Sequence, residues 1–403
     1  MNITMPPGIA GNIVHKWELV KNLSELGHEV HTLSYGESKN IKLDNVYFHT
    51  IPKVNKIRIF KGLLYRFTCA MFLLKIITKH HFDILYTRSP ALISGVIGYI
   101  AKKIFGLKLV FEIDAIIFEE QELERRELIR SKSSVLKSKI SENILIEYRK
   151  YKEIFMWDKA DAVIAVTNGI KRDLIRHGVD EAKIWVIGNG ANTDLFRPLN
   201  QSIVKTELGL DDATKYVCFV GNLAPWQGVE YLIKSAPLIL KELPNTNFLI
   251  VGDGMMKEKL VELVQKKGVS DKFIFTGTVP YEEVPKYINA SDLCVHLPFG
   301  KRNENVGASS LKLFEYMACG KPVITSDVSG IPKEIERVNA GILISCNLQE
   351  IVNSIIKLLK KKKLREEMGK NCRKSVVENH SWEIVAEKVA EVCENVIKQR
   401  KYR

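Results

Sequence analysis

Short apolar runs rich in β-branched residues alternate along the chain with longer stretches whose apolar positions recur every three or four residues. Runs of roughly four to eight such residues, bounded by turn formers, read as strands buried on both faces, and the stretches between them read as amphipathic helices. In the first half the expected strands are 30–34 (VHTLS), 84–87 (ILYT), 108–112 (KLVFE) and 162–167 (AVIAVT), preceded by a very short one at 2–5. In the second half they are 216–220 (YVCFV), 247–251 (NFLIV), 272–276 (KFIFT), 293–297 (LCVHL) and 322–325 (PVIT). Each is followed by a loop and a helix, the order that builds parallel sheets covered by helices.

Two such series imply two α/β units. Gly, Asn, Asp and Pro cluster between them in IGNGANTDLFRP, residues 187–198, which marks a joint. We expect a doubly wound N-terminal domain over 1–190 and a second over 191–380. Ser381, Trp382 and Glu383 form a helix start, and the helix over 381–403 is expected to run back onto the first domain. A hinge at the joint would set a cleft at the carboxyl ends of both sheets, the usual ligand position in open α/β folds.

Composition agrees with two folded domains. At 403 residues with 46% apolar content, the chain is long enough for two cores and carries no low-complexity tract. Its seven cysteines are scattered without a C-x-x-C pair, so neither a disulfide framework nor a zinc site is expected, and a reducing cytoplasm is the simplest location. The start, MNITMPPGIAGN, lacks the layout of a signal peptide, and the longest uncharged apolar run, 91–101, is too short to span a bilayer.

The formal charge of +13 is concentrated. Between Asn45 and Phe82 there is no Asp or Glu, but Lys53, Lys56, Arg58, Lys61, Arg66, Lys75 and Lys79 are present. Phe60, Leu63, Leu64, Phe67, Met71, Leu74 and Ile77 form a helical apolar stripe in the same segment. Two readings follow: the stripe of residues 53–79 docks on the sheet, or it lies on the inner face of an anionic membrane. Nucleic acid is not an expected partner, because aromatic residues for base stacking are sparse here.

Chemistry concentrates in LPFGKRNENVGASSLKLFEYMACGKPVIT. A helix expected to begin at Ser309 or Ser310 ends at Gly320, with Pro322 blocking continuation. Its free N–H groups and the positive end of its dipole favour an anion, and Gly307 permits close approach. Lys312 lies in the first turn and adds a positive charge. Glu315, three residues on, shares its face and can accept hydrogen bonds from a ribose diol. The same spacing also fits an ordinary ion pair on a capped, half-buried helix.

This segment resembles the donor-binding region of retaining glycosyltransferase family 4, in the branch written S-x-x-K-L-F-E-Y-M-A-x-G-x-P-V. Further matches are HKWELVKNLSELGHEVHTLS, ADAVIAVTNGIKRDLI, IWVIGNGANTDLFRP, FVGNLAPWQGVEYLIKSA, FLIVGDG, FTGTVPYEEVPKYINASD and ITSDVSGIPKEI. The resemblance implies the GT-B fold: an acceptor-binding N-terminal domain and a nucleotide-sugar-binding C-terminal domain. It also implies transfer of a sugar from a UDP- or GDP-sugar to a hydroxyl of a glycan or lipid-linked acceptor, with retention at the anomeric carbon.

The resemblance places Glu315, Gly307, Ser309, Ser310, Leu311, Asn222, Gln227, Gly252, Gly254, Gly277 and Val279 around the donor. It gives Gly8 and Gly11 to a loop cradling donor or acceptor, with His15 facing the cleft, where a plain strand-to-helix turn is the alternative; tight turns needed for packing are an equal alternative for Gly252, Gly254 and Gly277. Glu112 and Asp114 fall near the acceptor, although a surface acidic loop (with Glu119 and Glu120) is an equal alternative. The family pattern is broken at Gly307, where a glutamate is usual, and at Asn222 and Gln227, where Arg and Lys are usual; Arg302 and Lys312 are expected to carry the phosphates instead. No D-x-D triplet occurs, so neither a metal nor another cofactor is expected. A nucleotide-sugar epimerase of the same fold and a non-catalytic basic scaffold remain the alternatives.

Overall fold

The computed structural model describes residues 11–35, 41–51, 61–88, 94–116, 118, 136–298, 309–328, 330–345 and 347–398. The expected strand at 2–5, together with Gly8, Glu119, Glu120, Arg302 and Gly307, lies outside them. By its internal contacts the chain divides into two compact units: Met1–Ile3, Leu19–Ile187 and Ala386–Arg403 form one, and Thr4–Glu18 with Gly188–Val385 form the other.

In chain order the elements of the first half are α1 (Gly11–Glu25), β1 (Val30–Tyr35), β2 (Ile41–Leu43), β3 (Val46–Ile51), α2 (Lys61–Lys79), β4 (Ile84–Arg88), α3 (Ser94–Phe105), β5 (Lys108–Ile113), α4 (Leu136–Lys159), β6 (Ala162–Ala165), α5 (Asn168–Arg176) and β7 (Ile184–Val186). The strands form a three-stranded sheet, β1-β3-β2, and a four-stranded sheet, β4-β5-β6-β7. All pairings are parallel except that of the short β2 with β3. Strand β6 stops before the expected Thr167, because that side chain instead accepts a hydrogen bond from the Ile170 N–H and caps α5.

Residues 61–79 of the basic segment fold as α2, while Lys53, Lys56, Arg58 and Phe60 lie outside the described residues, and the packing face keeps Ile77 but otherwise differs from the expected stripe. Cys69, Ile76 and Ile77 are buried, and Ile77 and Leu73 pack with Ala101 and Leu107. Phe67 and Met71, both expected on the packing stripe, are 63% and 50% exposed. With the exposed Lys75 and Lys79 they make an i, i+4 ladder on the outer face. Residues 69, 73 and 76 satisfy a helical repeat as well as the expected set does, and with Ile77 they form the buried face.

The second half continues with α6 (Gln201–Glu207), β8 (Lys215–Val220), α7 (Val229–Glu242), β9 (Thr246–Val251), α8 (Lys257–Lys266), β10 (Phe273–Gly277), α9 (Val284–Ala290), β11 (Leu293–His296), α10 (Leu311–Ala318), β12 (Val323–Ser326), α11 (Ile331–Arg337), β13 (Gly341–Ile344), α12 (Leu348–Lys360), α13 (Lys362–Asn379) and α14 (Trp382–Lys398). Its six strands are all parallel, in the order β10-β9-β8-β11-β12-β13. In β8, Tyr216, Cys218 and Val220 enter one core cluster while Val217 and Phe219 enter the other. Period-two alternation with both faces buried is why the run reads as continuously apolar. Strand β12 begins at Val323 rather than the expected Pro322, which has no N–H for the ladder; its carbonyl still accepts from the Cys294 N–H at 3.1 Å.

The chain leaves β8 on one side towards β9 and later returns on the other side as β11, so the strand order reverses between β8 and β11. A crevice forms outside the carboxyl ends of strands at such a switch point, and ligands of open α/β sheets bind there.

Candidate functional site

The floor at that switch point is main chain. Strands β8 and β9 are followed directly by Gly221 and Gly252, and β10 ends at Gly277, with φ of +142°, +132° and +68°. The Gly221 N–H donates to Val251 O (2.8 Å), Gly252 to Gly277 O (2.9 Å) and Leu223 to Asp253 O (2.9 Å), so three successive loops are tied to one another. A Cβ on Gly252 would stand 2.1 Å from Gly221 O, and one on Gly254 would stand 2.3 Å from Asn222 Oδ1. These glycines are required where one loop's backbone crosses close to the next. Val279 is buried in the core cluster, so only its backbone can face a ligand.

Helix α10 rises beside this floor. Its N-cap, Ser310, has extended backbone angles and makes no side-chain cap bond, leaving the helix start available to an anion. Ser309 just before it is fixed: its hydroxyl accepts from Asn189 N at 2.9 Å and its carbonyl accepts from the Asn189 side-chain amide. Asn189 is held in turn by His15, whose Nδ1 lies 2.6 Å from Asn189 Oδ1 and whose ring meets Trp382 edge-on at 5.0 Å. His15 was expected to face a ligand. It is buried, at 3% exposure, and its ring holds the segment that holds Ser309. Gly11 is the first residue of α1, and Leu311 packs half-buried against the core cluster.

Lys312 and Glu315 lie one turn apart on α10, and both are buried. They do not pair with each other. The Lys312 ammonium donates to Gln227 Oε1 at 2.8 Å and sits 4.5 Å above the Phe219 ring. A carboxylate oxygen of Glu315 accepts from the Tyr281 hydroxyl at 2.9 Å. Burial lowers the Lys312 pKa to about 7 against the raising influence of Glu315. Burial likewise raises Glu315 to about 7, against the Tyr281 hydrogen bond and Lys312. Burial thus opposes the charged form of both groups, and each is hydrogen-bonded to another partner instead of forming the ion pair that the spacing suggests. Gln227, standing where a lysine is usual, is thereby the lysine's partner.

Three side chains of this unit escaped the sequence reading. Tyr281 orients Glu315. The Tyr316 hydroxyl accepts from Val220 N at 2.7 Å, fixing α10 to the end of β8. His296, at the carboxyl end of β11, lies 3.2 Å from Thr325 Oγ1 through Nδ1, and burial followed by Lys312 holds its pKa well below the usual range. An aromatic hydroxyl and a histidine at strand or helix ends are common, and nothing in their spacing distinguished them.

In the first unit, Glu112 near the end of β5 and Asp114 just beyond it are joined by Arg88 at the end of β4. Arg88 Nε is 3.1 Å from Glu112, and its Nη2 is 3.1 Å from Asp114. The Tyr86 hydroxyl also donates to Glu112, and burial with that carboxylate raises its pKa well above the ordinary value. The two acids are thus an organised, arginine-bridged group rather than a loose acidic loop. Arg88 was missed because one arginine after a strand carries no distinctive spacing.

Comparison with known proteins matches this architecture. The Glycosyltransferase Family 4 model matches residues 13–195, and the Glycosyl transferases group 1 model matches residues 200–375. N-acetyl-alpha-D-glucosaminyl L-malate synthase of Bacillus anthracis is 26% identical over 411 aligned residues, covering 100% of this chain and 98% of that protein. Among solved structures, sucrose-phosphate synthase from Thermosynechococcus elongatus superposes with a TM-score of 0.75 at 20% identity, covering 97% of this chain and 94% of the other. HepE from Anabaena in complex with UDP gives 0.68 at 18% identity, covering 87% of each chain. Carrying the GT-B fold and matched by both models over most of its length, the chain belongs to the family 4, group 1 glycosyltransferases.

Proposed function

We propose that this enzyme transfers a sugar from a nucleoside-diphosphate sugar to a hydroxyl with retention at the anomeric carbon. The observation that carries the reading is the placement of Lys312 and Glu315 on α10 beside the glycine floor at the β8/β11 switch point. The diphosphate takes the start of α10 and Lys312, while Glu315, oriented by Tyr281, accepts from the ribose diol. Negative charge grows on the diphosphate as the glycosidic bond breaks, and fixed donors aimed there stabilise it without reorganisation. As the family resemblance implies, a departing phosphate oxygen takes the acceptor proton on the same face as attack. The Arg88-bridged Glu112 and Asp114 supply the acceptor contacts. A glycan or lipid-linked acceptor in envelope synthesis is the favoured class.

UDP is the first nucleotide to test, since HepE was solved with it. Incubation of the full chain with UDP- and GDP-sugars, with and without a panel of glycan and lipid acceptors, is expected to give acceptor-dependent release of nucleoside diphosphate and a product of unchanged anomeric configuration by NMR. Acceptor-independent conversion would mark an epimerase. No turnover would favour a scaffold, and an inverted product would overturn the mechanism.

The outer face of α2 supports peripheral contact with an anionic membrane. Phe67 and Met71 offer apolar insertion, and Lys75 and Lys79 continue the same ladder, each basic residue near the surface contributing about 1 kcal/mol. No described helix is long and apolar enough to cross a bilayer. Sedimentation is expected to recover the protein with vesicles containing phosphatidylserine but not with neutral ones, and Phe67→Ser with Lys75→Glu should release it. Equal recovery on both vesicle types removes this reading.

A further inference from the structure

A group of imidazoles in the first unit is used by none of the chemistry above. Glu29 and His31 stand at the start of β1, while β3 carries Tyr47 and His49. The parallel register sets His31 beside Tyr47 and Leu33 beside His49. Side chains alternate along strands, so His31, Tyr47 and His49 share one sheet face. His80, one residue beyond α2, comes to the same place, its ring centroid 4.6 Å from that of His31. His31 Nε2 lies 2.8 Å from Glu29 Oε1, and His31 Nδ1 lies 2.9 Å from His49 Nε2. One donor atom from each of Glu29, His31 and His80 falls within 4.8 Å of the others.

We propose that Glu29, His31 and His80 bind one divalent transition-metal ion of the zinc class, leaving a further coordination position to water. Two imidazoles and a carboxylate are a donor set suited to zinc. Tetrahedral bonds of about 2.0–2.2 Å place ligand atoms roughly 3.3 Å apart, so the present spacing needs only small side-chain adjustments. Those adjustments fall where they are easiest: the Glu29 side chain is 58% exposed and His80 lies just past a helix end.

The central ligand is already oriented. His31 stacks on Tyr47 at 4.4 Å, meets Phe82 edge-on at 4.9 Å and engages His49 through Nδ1, which directs Nε2 to the metal position. Metal-ligating histidines are commonly fixed through their second nitrogen in this way. A simple Glu–His hydrogen bond accounts for Glu29 and His31 but not for a third donor from another element. A cavity of about 430 Å³ lined in part by Glu29, His31, His49 and His81 adjoins the group. The absence of a D-x-D triplet does not bear on this site, which uses different donors in the other unit. Bound metal would tie the start of β1 to the end of α2 and so stabilise the first unit.

The test uses the full chain stripped with chelator and titrated calorimetrically with zinc chloride. One equivalent should bind with a Kd on the order of 10 μM or tighter, raising Tm, and Co²⁺ should give the intense visible bands of a tetrahedral site. Glu29→Gln, at an exposed carboxylate, and His80→Asn should each weaken binding tenfold or more, while His28→Asn should not; circular dichroism confirms that each variant is folded. Absence of stoichiometric Zn²⁺ binding, or unchanged affinity in both ligand variants, would overturn the proposal.

Discussion

Replacing Lys312 with methionine is expected to cut kcat/KM for the nucleotide sugar about 100- to 1,000-fold, the loss typical of removing one preorganised group that stabilises developing charge. Methionine keeps the apolar stem and a sulfur over Phe219, so lost packing contributes little. The depressed lysine pKa supplies a second readout. At pH 8 the free enzyme holds Lys312 mostly neutral, since its pKa is about 7. A bound diphosphate favours the ammonium form and raises that pKa, so binding should take up about one proton per site above pH 7. Glu315 is already ionised at pH 8 and adds nothing. UDP titrations at pH 8 in two buffers of different ionisation enthalpy should show this uptake in the wild type and not in Lys312→Met. Arg302→Ala, at the residue expected to replace the family's basic pair lost at Asn222 and Gln227, should weaken UDP affinity while leaving the uptake in place. Wild-type turnover in Lys312→Met, or uptake that survives it, would remove the lysine from the phosphate site.

Gly252→Ala is expected to destabilise the second unit by roughly 3 kcal/mol or more, in the range reserved for a steric clash added to backbone strain. The new Cβ would lie 2.1 Å from Gly221 O and 2.9 Å from its carbonyl carbon. That carbonyl cannot retreat cheaply, because Gly221 N is bonded to Val251 O and Gly252 N to Gly277 O. Gly268→Ala is the control: φ there is +67° with nothing within 4 Å, so only the cost of the left-handed backbone, about 1 kcal/mol, applies. Urea unfolding of the two variants separates them. A Gly252→Ala midpoint no lower than that of Gly268→Ala would show that the crossing can relax.

Much of the fold is legible from periodicity, and for a clear reason. Strands such as β8, β9 and β5 are buried on both faces and leave unbroken apolar runs. The expected set lacks β2, β7 and β13, which are three or four residues long and partly exposed, and also the six-residue β3, whose Tyr47, His49 and Thr50 interrupt the apolar run. Strand ends shifted where a side chain had other work, as at Thr167, or where an N–H was missing, as at Pro322. The site divides in the same way. Lys312 and Glu315 are legible because one helix fixes their spacing. Their shifted pKa values are not, because the surroundings come from Phe219, Tyr281 and Gln227, brought from distant segments. The imidazole group is similarly dispersed over Glu29, His31, His49 and His80, with no common motif.

The glycine crossing beneath the proposed donor position also bears on how such an enzyme can be altered. A floor made of main chain has a shape that no exchange of neighbouring side chains rewrites, so substrate choice must be set by the walls around it. Asn222, Gln227 and the exposed Met255 carry side chains next to that floor. Libraries confined to these three positions should redirect donor choice at little cost in folding. Mutations spread over the glycine positions should yield mostly unfolded protein.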